Sequence, residues 1–350
     1  MNKFQTIGKF LDQPILVAKF QNSVPAFLTG VTVSYTAAKT INAPENRKKE
    51  TALKTGMTLG AAAFSAVNAP KIASKITKRA LSPSLETIKE NNKNLVDKFI
   101  KNNVVDEKTK EVLNKSKEKI LNPKEVNSLF KELSKKENGK EFLENLIPSP
   151  QNITAKDIFS EIGYLSVLGA VPVAGGIMGG IIADKASDKN NWQDKIPDKI
   201  KEGSYQYLAN IFMCNIGAGA ALGMLEKADI KSKSARAAGM TAGIIATGII
   251  GGSKAANFLG RKVIDPVCDR VHKKHHYDDI LTIKSVEDDK YKHKITKKHY
   301  KERTPEVLDI GLHTDDIATV SLLSGLKWIE PALPVMYTIS GYRAGIGYRN

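Results

Sequence analysis

The chain has 350 residues and a formal net charge of +16, with 41% hydrophobic and 26% charged residues. These averages and a mean hydropathy of -0.27 resemble those of a water-soluble protein, and the length allows two or three domains. The two cysteines, Cys214 and Cys268, exclude a disulfide-rich scaffold. The averages conceal one feature, because the apolar residues are gathered into a few long uncharged runs.

Two uncharged runs lie in the N-terminal part of the chain. One covers residues 20–38 and the other residues 55–70, which are rich in Ala. We interpret residues 1–70 as a helical hairpin that lies in a membrane. An alternative for the first run is the apolar core of a signal peptide, with Lys3 and Lys9 as its basic leader.

A polar segment follows at residues 71–156. Within it, Asn122, Pro123 and Glu125 have the order of an N-cap, a first-turn proline and a capping-box acid. Apolar residues then recur at helical spacing, at Val126, Leu129, Phe130 and Leu133. The pattern predicts a polar insert built from short amphipathic helices.

Three uncharged runs occupy residues 162–183, 203–225 and 237–253, inside a core segment 157–254. Their lengths lie in the range of about 17 to 25 residues that crosses a bilayer core. The alternative is a set of buried helices in a soluble bundle. It is the weaker interpretation, because a soluble helix usually keeps one polar face and these runs have none.

Glycines recur at a spacing of four within these three runs, and such pairs lie on one face of a helix. In lipid this spacing lets two helix backbones approach closely, whereas interior glycine in water weakens a helix by about 1 kcal/mol. We predict that these glycines form helix-packing surfaces. The pairs are Gly175 with Gly179, Gly176 with Gly180, Gly219 with Gly223, Gly239 with Gly243, and Gly248 with Gly252.

A second polar segment covers residues 255–315, and its residues near 280–300 are compatible with a β-hairpin. On a helix, Cys268, His272 and His276 would share one face, and such ligands suit Zn²⁺. They are weak candidates for a metal site, because the spacing matches no established zinc pattern. Lys273 and Lys274 would also repel a cation, which favours a solvated segment.

The C-terminal segment, residues 316–350, contains two apolar stretches separated by Lys327 and Glu330. It is expected to be a membrane-spanning or re-entrant segment. If the two charged residues lie inside the bilayer, they are candidate functional groups, since intramembrane charges usually mark transport pathways.

Together these patterns predict an all-α, polytopic membrane protein with about 5–6 spans. Abundant Lys and Asn fit a bacterial source, and we expect the inner membrane. No enzyme or cofactor motif occurs. The runs 162–183, 203–225 and 237–253 also contain no Asp, Glu, Lys, Arg or His, which ion-coupled transporters usually need inside the bilayer. We therefore expect a non-enzymatic component that packs, scaffolds or organises a membrane. The alternative is a transporter or channel for a small solute or ion, built from a duplicated helical hairpin, since residues 54–58 (KTGMT) resemble residues 237–241 (AAGMT).

The expected partner is the lipid bilayer. Basic residues beside the second run can attract anionic lipid, and these are Lys71, Lys75, Lys78 and Arg79. Other membrane helices, including those of a second copy, are further candidates. Nucleic acid is not expected, because basic and acidic residues are interspersed along the chain.

Overall fold

The computed structural model describes residues 3–148, 154–188, 192–267 and 327–347, and within these ranges it contains helices and no β-strand. The all-α prediction is therefore confirmed for the described residues, whereas the β-hairpin expected near 280–300 lies outside them. The α-helices are α1 (Lys3–Leu11), α2 (Pro14–Ile41), α3 (Lys48–Thr77), α4 (Leu85–Asn102), α5 (Glu107–Ser116), α6 (Pro123–Leu133), α7 (Gly139–Leu146), α8 (Ala155–Ser187), α9 (Ile196–Tyr207), α10 (Met213–Lys227), α11 (Lys233–Ile244), α12 (Ser253–Leu259) and α13 (Leu333–Ile346).

Shorter helical segments connect some of these helices. A π-helical segment, Leu208–Phe212, joins α9 to α10, so that Gln193–Lys227 is one continuous helix. A second π-helical segment, Ile245–Gly252, joins α11 to α12, and a third, Gly260–Ile264, follows α12. The 3₁₀ segments are Glu45–Arg47, Gln193–Lys195 and Lys327–Ala332.

The long helices run between two ends of one bundle. At the first, which we call the Asp184 end, Lys54 at the start of α3 lies 3.4 Å from Asp184 near the end of α8. At the opposite end, which we call the Glu161 end, Arg79 after α3 pairs with Glu161 of α8 at 2.7 Å. Helices α3 and α8 are therefore antiparallel. Helix α13 runs parallel to α8, since Gly341 lies against Gly176 and Gly345 against Gly180.

The separation of the two charged ends matches the thickness of a bilayer core. Glu161 and Asp184 are separated by about 34 Å along α8 at 1.5 Å per residue, and the hydrocarbon core of a bilayer is about 30 Å thick. By length and composition, α8 and the continuous helix Gln193–Lys227 can each cross a membrane. Core helices of soluble proteins can have the same length and composition, so the position of their apolar side chains matters.

Many large apolar side chains of the bundle point outward. Helix α8 exposes Met178 and Ile182 within its uncharged run, and α3 exposes Phe64. Soluble proteins rarely expose large apolar patches, because contact with water is unfavourable. Other exposed apolar residues on the long helices are Phe27, Val31, Val33, Met224, Ile245, Ile250 and Phe258.

Helices α3, α8 and α13 meet through nearly bare backbone. A Cβ atom built on Gly176 would collide with the carbonyl of Gly341, and one on Gly180 would collide with that of Gly345. On the neighbouring face of α8, a Cβ on Gly179 would lie 2.6 Å from Ala61 Cβ of α3. Adjacent glycines of α8 thus serve two different partner helices.

A second close contact joins α10 to the α11–α12 segment. Backbone atoms of Gly217 and Gly243 face each other, and a Cβ on Gly252 would lie 2.6 Å from Ala209 Cα. The Thr247 hydroxyl donates to the carbonyl of Met213 at 2.8 Å and so crosses the same interface. Gly239 faces the side chain of Leu225, while Gly219 and Gly223 face the first turn of α8.

The polar insert forms its own small core from α4 to α7. The predicted capping box at the start of α6 is confirmed, because Asn122 accepts from the Glu125 backbone and Glu125 accepts from the Asn122 backbone. Helix α3 continues to Thr77, so that the first residues of the polar segment extend a long helix. The buried residues of the insert core are Val96, Phe99, Leu113, Leu121, Val126, Leu129, Leu133, Phe142, Leu143, Leu146 and Ile147.

The N-terminal segment fastens this insert to the bundle. The side-chain amide of Gln13 donates to the Leu121 carbonyl and accepts from the Leu121 N–H, both at 2.8 Å. The Lys9 ammonium donates to the Ile147 carbonyl at 3.0 Å. Because Gln13 immediately precedes α2, these bonds couple the insert to a long helix of the bundle.

We expect Gly176→Ala to destabilise the protein by about 2 kcal/mol, because the new methyl group must displace the backbone of α13. The measurement is thermal unfolding of the purified protein in detergent, followed by circular dichroism. The matched control is Gly60→Ala in α3, where a Cβ meets no atom within 4 Å. Equal effects of both substitutions would contradict the close α8–α13 contact.

Candidate functional site: a buried charged layer

Charged side chains from α3, α8, α9 and α13 converge at the Asp184 end. The Asp184 carboxylate lies 2.8 Å from the Lys199 ammonium and 3.4 Å from that of Lys54. Lys199 also donates to the Gly345 carbonyl of α13. Arg343 Nε lies 4.0 Å from Glu202 Oε1. We call these five residues the buried charged layer.

Four of the five residues are almost completely removed from solvent. Asp184 and Lys199 are each 4% exposed, Arg343 is 2% exposed and Glu202 is 1% exposed. Charges at such depth are tolerated only when partners compensate for the loss of hydration. The ion pairs between helices supply this compensation, so the layer requires all four helices to be in place.

The chain order explains why these groups meet. Asp184 ends the uncharged run of α8, and Glu202 immediately precedes the next run. Because α8 and α9 are antiparallel neighbours, the end of one run and the start of the next lie at the same level. Arg343 reaches that level because α13 runs parallel to α8 and ends beside it.

Glu50 connects this layer to the surface. Its carboxylate accepts a hydrogen bond from Lys54 at 2.6 Å, and this bond lowers the pKa of Glu50. For Lys54, burial of the ammonium opposes protonation. The hydrogen bond to Glu50 and the attraction of Asp184 outweigh that burial and raise the pKa of Lys54.

A ladder of polar side chains continues from the layer into the bundle along α9. Gln206 Nε2 donates to Glu202 Oε1 at 2.8 Å, and Asn210 Nδ2 donates to Gln206 Oε1 at 2.9 Å. These residues are four apart, so they share one helix face, and they are buried. The ladder reaches the π-helical segment Leu208–Phe212, and π-helical irregularities are frequent at functional sites.

The Glu161 end has its own ion pairs. The Arg79 guanidinium, paired with Glu161, lies 4.2 Å from the ring centroid of Tyr164. The Glu226 carboxylate accepts from Arg236 at 2.9 Å and from the Ala155 N–H at 3.1 Å, where it caps the first turn of α8. Both ends of the apolar bundle are therefore closed by interhelical charge pairs.

The candidate residues from the sequence lie in different places. Lys327 begins the 3₁₀ segment before α13, and Glu330 in that segment interacts electrostatically with Tyr164 at the Glu161 end. Gly248 lies buried in the π-helical segment that joins α11 to α12. The candidate metal ligands Cys268, His272 and His276 lie outside the described residues, so the structure does not bear on that site.

Sequence reasoning missed the buried charged layer and half of the α8–α13 contact. Gly341 and Gly345 have the same spacing of four as the predicted pairs, but Arg343 between them interrupts the uncharged stretch. Asp184 and Glu202 were visible only as the limits of uncharged runs. A search for small-residue pairs across charged positions would have found Gly341 and Gly345.

We expect Asp184→Asn to destabilise the protein by about 3–5 kcal/mol, because it leaves the ammonium of Lys199 buried without its counterion. Thermal unfolding in detergent measures the effect. The control is Asp97→Asn in the insert, where the Asp97 carboxylate is exposed and its pair with Lys117 at 2.6 Å is worth less than about 1 kcal/mol. A loss as small as that of the control would show that Asp184 is not an essential counterion.

We expect acid to weaken the Glu50–Lys54 contact. Because folding lowers the pKa of Glu50, its contribution is complete above the ordinary value of 4.5 and is lost as the pH falls further. The unfolding temperature should therefore drop less between pH 7 and pH 4 in Glu50→Gln than in the wild type. Glu90→Gln, at an exposed position of the insert, should keep the wild-type drop.

The buried charged layer joins helices to one another through ion pairs. Its ionic groups bind one another across four helices, and the hydrogen-bonded ladder below it contains one carboxylate and two amides. Such an arrangement fixes the relative positions of helices and prevents them from sliding past one another, because a shift by one turn would separate buried charges.

In comparisons with protein-family models, with curated proteins and with solved structures, nothing matches this chain.

Proposed function

We propose that the protein is a non-enzymatic, polytopic membrane component that holds its polar insert rigidly at one face of a bacterial inner membrane. The observation that carries this proposal is the close packing of α3, α8 and α13. Their backbones touch through glycine and alanine, so that little side-chain volume separates the three helices. An interior of this kind serves rigidity.

The membrane location is supported by three features taken together. The charged ends are about one bilayer core apart, two helices have the length and composition of spans, and apolar side chains face outward between the ends. Helices α2, α3, α8, α9–α10 and α11–α12 extend between these ends, as does α13 together with the 3₁₀ segment before it, and these helices support about 5–6 spans. The shorter or less apolar helices would cross beside the two clear spans.

The scaffolding role is supported by the way the insert is held. It is joined covalently to α3 and α8, and the Gln13 and Lys9 bonds attach it to the N-terminal helices. Ile15 and Ala18 of α2 also pack against Ile88 of α4. A domain fixed at several points keeps one orientation to the membrane, which a platform for partners needs.

The alternative is a transporter or channel for a small solute or ion, and the polar ladder favours it. Glu202, Gln206 and Asn210 place a carboxylate and two amides inside the bundle. Buried polar groups in membrane proteins often mark such pathways. In this alternative, the residues that would line the pathway are Glu202, Gln206 and Asn210 rather than Lys327 and Glu330.

Membrane topology tests the proposal. Starting from Cys214→Ser with Cys268→Ser, single cysteines replace Lys49 at the Asp184 end, Lys101 in the insert and Lys231 after α10. In bacterial cells, a membrane-impermeant maleimide should label Lys101→Cys and Lys231→Cys from the same side, and Lys49→Cys from the other. Carbonate washing should leave the protein in the membrane pellet.

Release by carbonate, or identical labelling of all three positions, would contradict the membrane proposal. The same protein in lipid vesicles separates the two functions. The scaffold proposal expects no passage of protons, potassium or small solutes above that of empty vesicles. Passage that Gln206→Leu abolishes and Lys101→Gln preserves would establish the alternative in its place.

A further inference from the structure

We infer that the C-terminal turns of α3 bind an anionic phospholipid, with its phosphate on the lysine stripe formed by Lys71, Lys75 and Lys78. The inference rests on the proposed membrane location and adds a specific lipid site to it. It differs from the sequence-based expectation in one respect, because Arg79 is not part of the site.

The lysine stripe lies at the level where a membrane surface is expected. Thr77, the last residue of α3, packs beside Gly163 near the start of α8. Arg79 pairs with Glu161, the last charged residue before the long apolar run of α8. The stripe is therefore at the Glu161 end, beside the boundary between the charged and apolar parts of the bundle.

The three lysines are exposed and carry uncompensated charge. Within the described residues, none of them forms an ion pair. Arg79 differs, because Glu161 neutralises it and the ring of Tyr164 covers it. Lys78 has a left-handed backbone (φ 58°) that ends the helix, and the hydroxyl of Ser74 donates to the Arg79 carbonyl, which fixes this turn.

The same face of α3 offers a surface for the lipid tail. Phe64 precedes Lys71 by seven residues and Lys75 follows Lys71 by four, so these three lie along one side of the helix. Lys78 is exposed in the turn that ends the helix. Phe64 is 73% exposed. It lies about 10 Å from Lys71 along the helix axis, deeper in the bundle. A phospholipid with its phosphate on the lysines would place an acyl chain against Phe64.

Charge complementarity identifies an anionic lipid as the occupant. Each lysine near an anionic surface strengthens binding about fivefold. A zwitterionic lipid carries its own ammonium group, which the three lysines would repel. Free phosphate can reach the lysines but gains nothing from Phe64, so the site should prefer a lipid to the inorganic ion.

The test is lipid binding to the full chain purified in a neutral detergent and measured by native mass spectrometry. Phosphatidylglycerol and phosphatidylcholine are titrated separately. We expect stronger binding of phosphatidylglycerol to the wild type. The triple variant Lys71→Gln, Lys75→Gln, Lys78→Gln should lose at least about tenfold of this affinity. The triple replacement by Arg should retain it.

The matched control replaces three exposed lysines of α4, as Lys93→Gln, Lys98→Gln and Lys101→Gln, which removes the same charge from the insert. Equal losses in both glutamine variants would overturn the inference, because the effect would then be one of net charge. Displacement of phosphatidylglycerol by equimolar inorganic phosphate would overturn the lipid as the occupant. Phe64→Ala should weaken phosphatidylglycerol binding without changing the weak binding of phosphate.

The outcomes separate this inference from the proposed function. If carbonate washing releases the protein from membranes, the membrane proposal fails. If the protein stays in the membrane but the lysine stripe variant binds phosphatidylglycerol as the wild type does, only the lipid site fails. Circular dichroism of each variant checks folding, and Lys75→Gln alone should show an intermediate loss if the triple variant is unstable.

Discussion

The structure depends on the direct approach of three helix backbones. Gly176 and Gly180 of α8 touch the backbone of α13, while Gly175 and Gly179, which lie one turn apart on the adjoining face, touch α3. With so little side-chain volume between them, these helices gain many weak dispersion contacts and bring peptide dipoles close together. Water competes poorly for such an interface when the surroundings are lipid. Every other long helix packs around this centre or against its neighbours.

The close approach also explains the position of the buried charges. Once α3, α8 and α13 are in contact, their ends lie at one level, and α9 returns beside them. Lys54, Asp184, Lys199, Glu202 and Arg343 are then forced into a small space with little solvent. Because separated charges at this depth would be costly, the layer allows one register of the helices and penalises others. Glycine faces can pack in more than one axial register of the helices, and the buried charges select one of these registers.

The two ends of the bundle differ in what they offer to other molecules. At the Asp184 end the five residues of the buried charged layer pair with one another, while Arg47 and Lys49 are exposed. At the Glu161 end, Arg79 and Glu226 are also paired, but the lysine stripe projects outward and the insert is fastened nearby through Gln13 and Lys9. The deeply buried ion pairs of the Asp184 end hold four helices together. In the proposed membrane location, the lysine stripe at the Glu161 end would face the membrane surface.

The amino-acid sequence by itself determined the helical class, the limits of the uncharged runs and the capped start of α6 in the insert. These features follow from local rules, since helix periodicity, capping and charge-free length depend on residues a few positions apart. The glycine spacing likewise marked faces of α8, but it did not assign a partner to each face. The tertiary structure decided that adjacent glycines serve α3 and α13, and that Arg343 lies buried beside Glu202. It also decided that Arg79 turns inward while its neighbouring lysines stay exposed. Such pairings join residues far apart in the chain, and no local pattern contains them, because they arise only when the helices are packed.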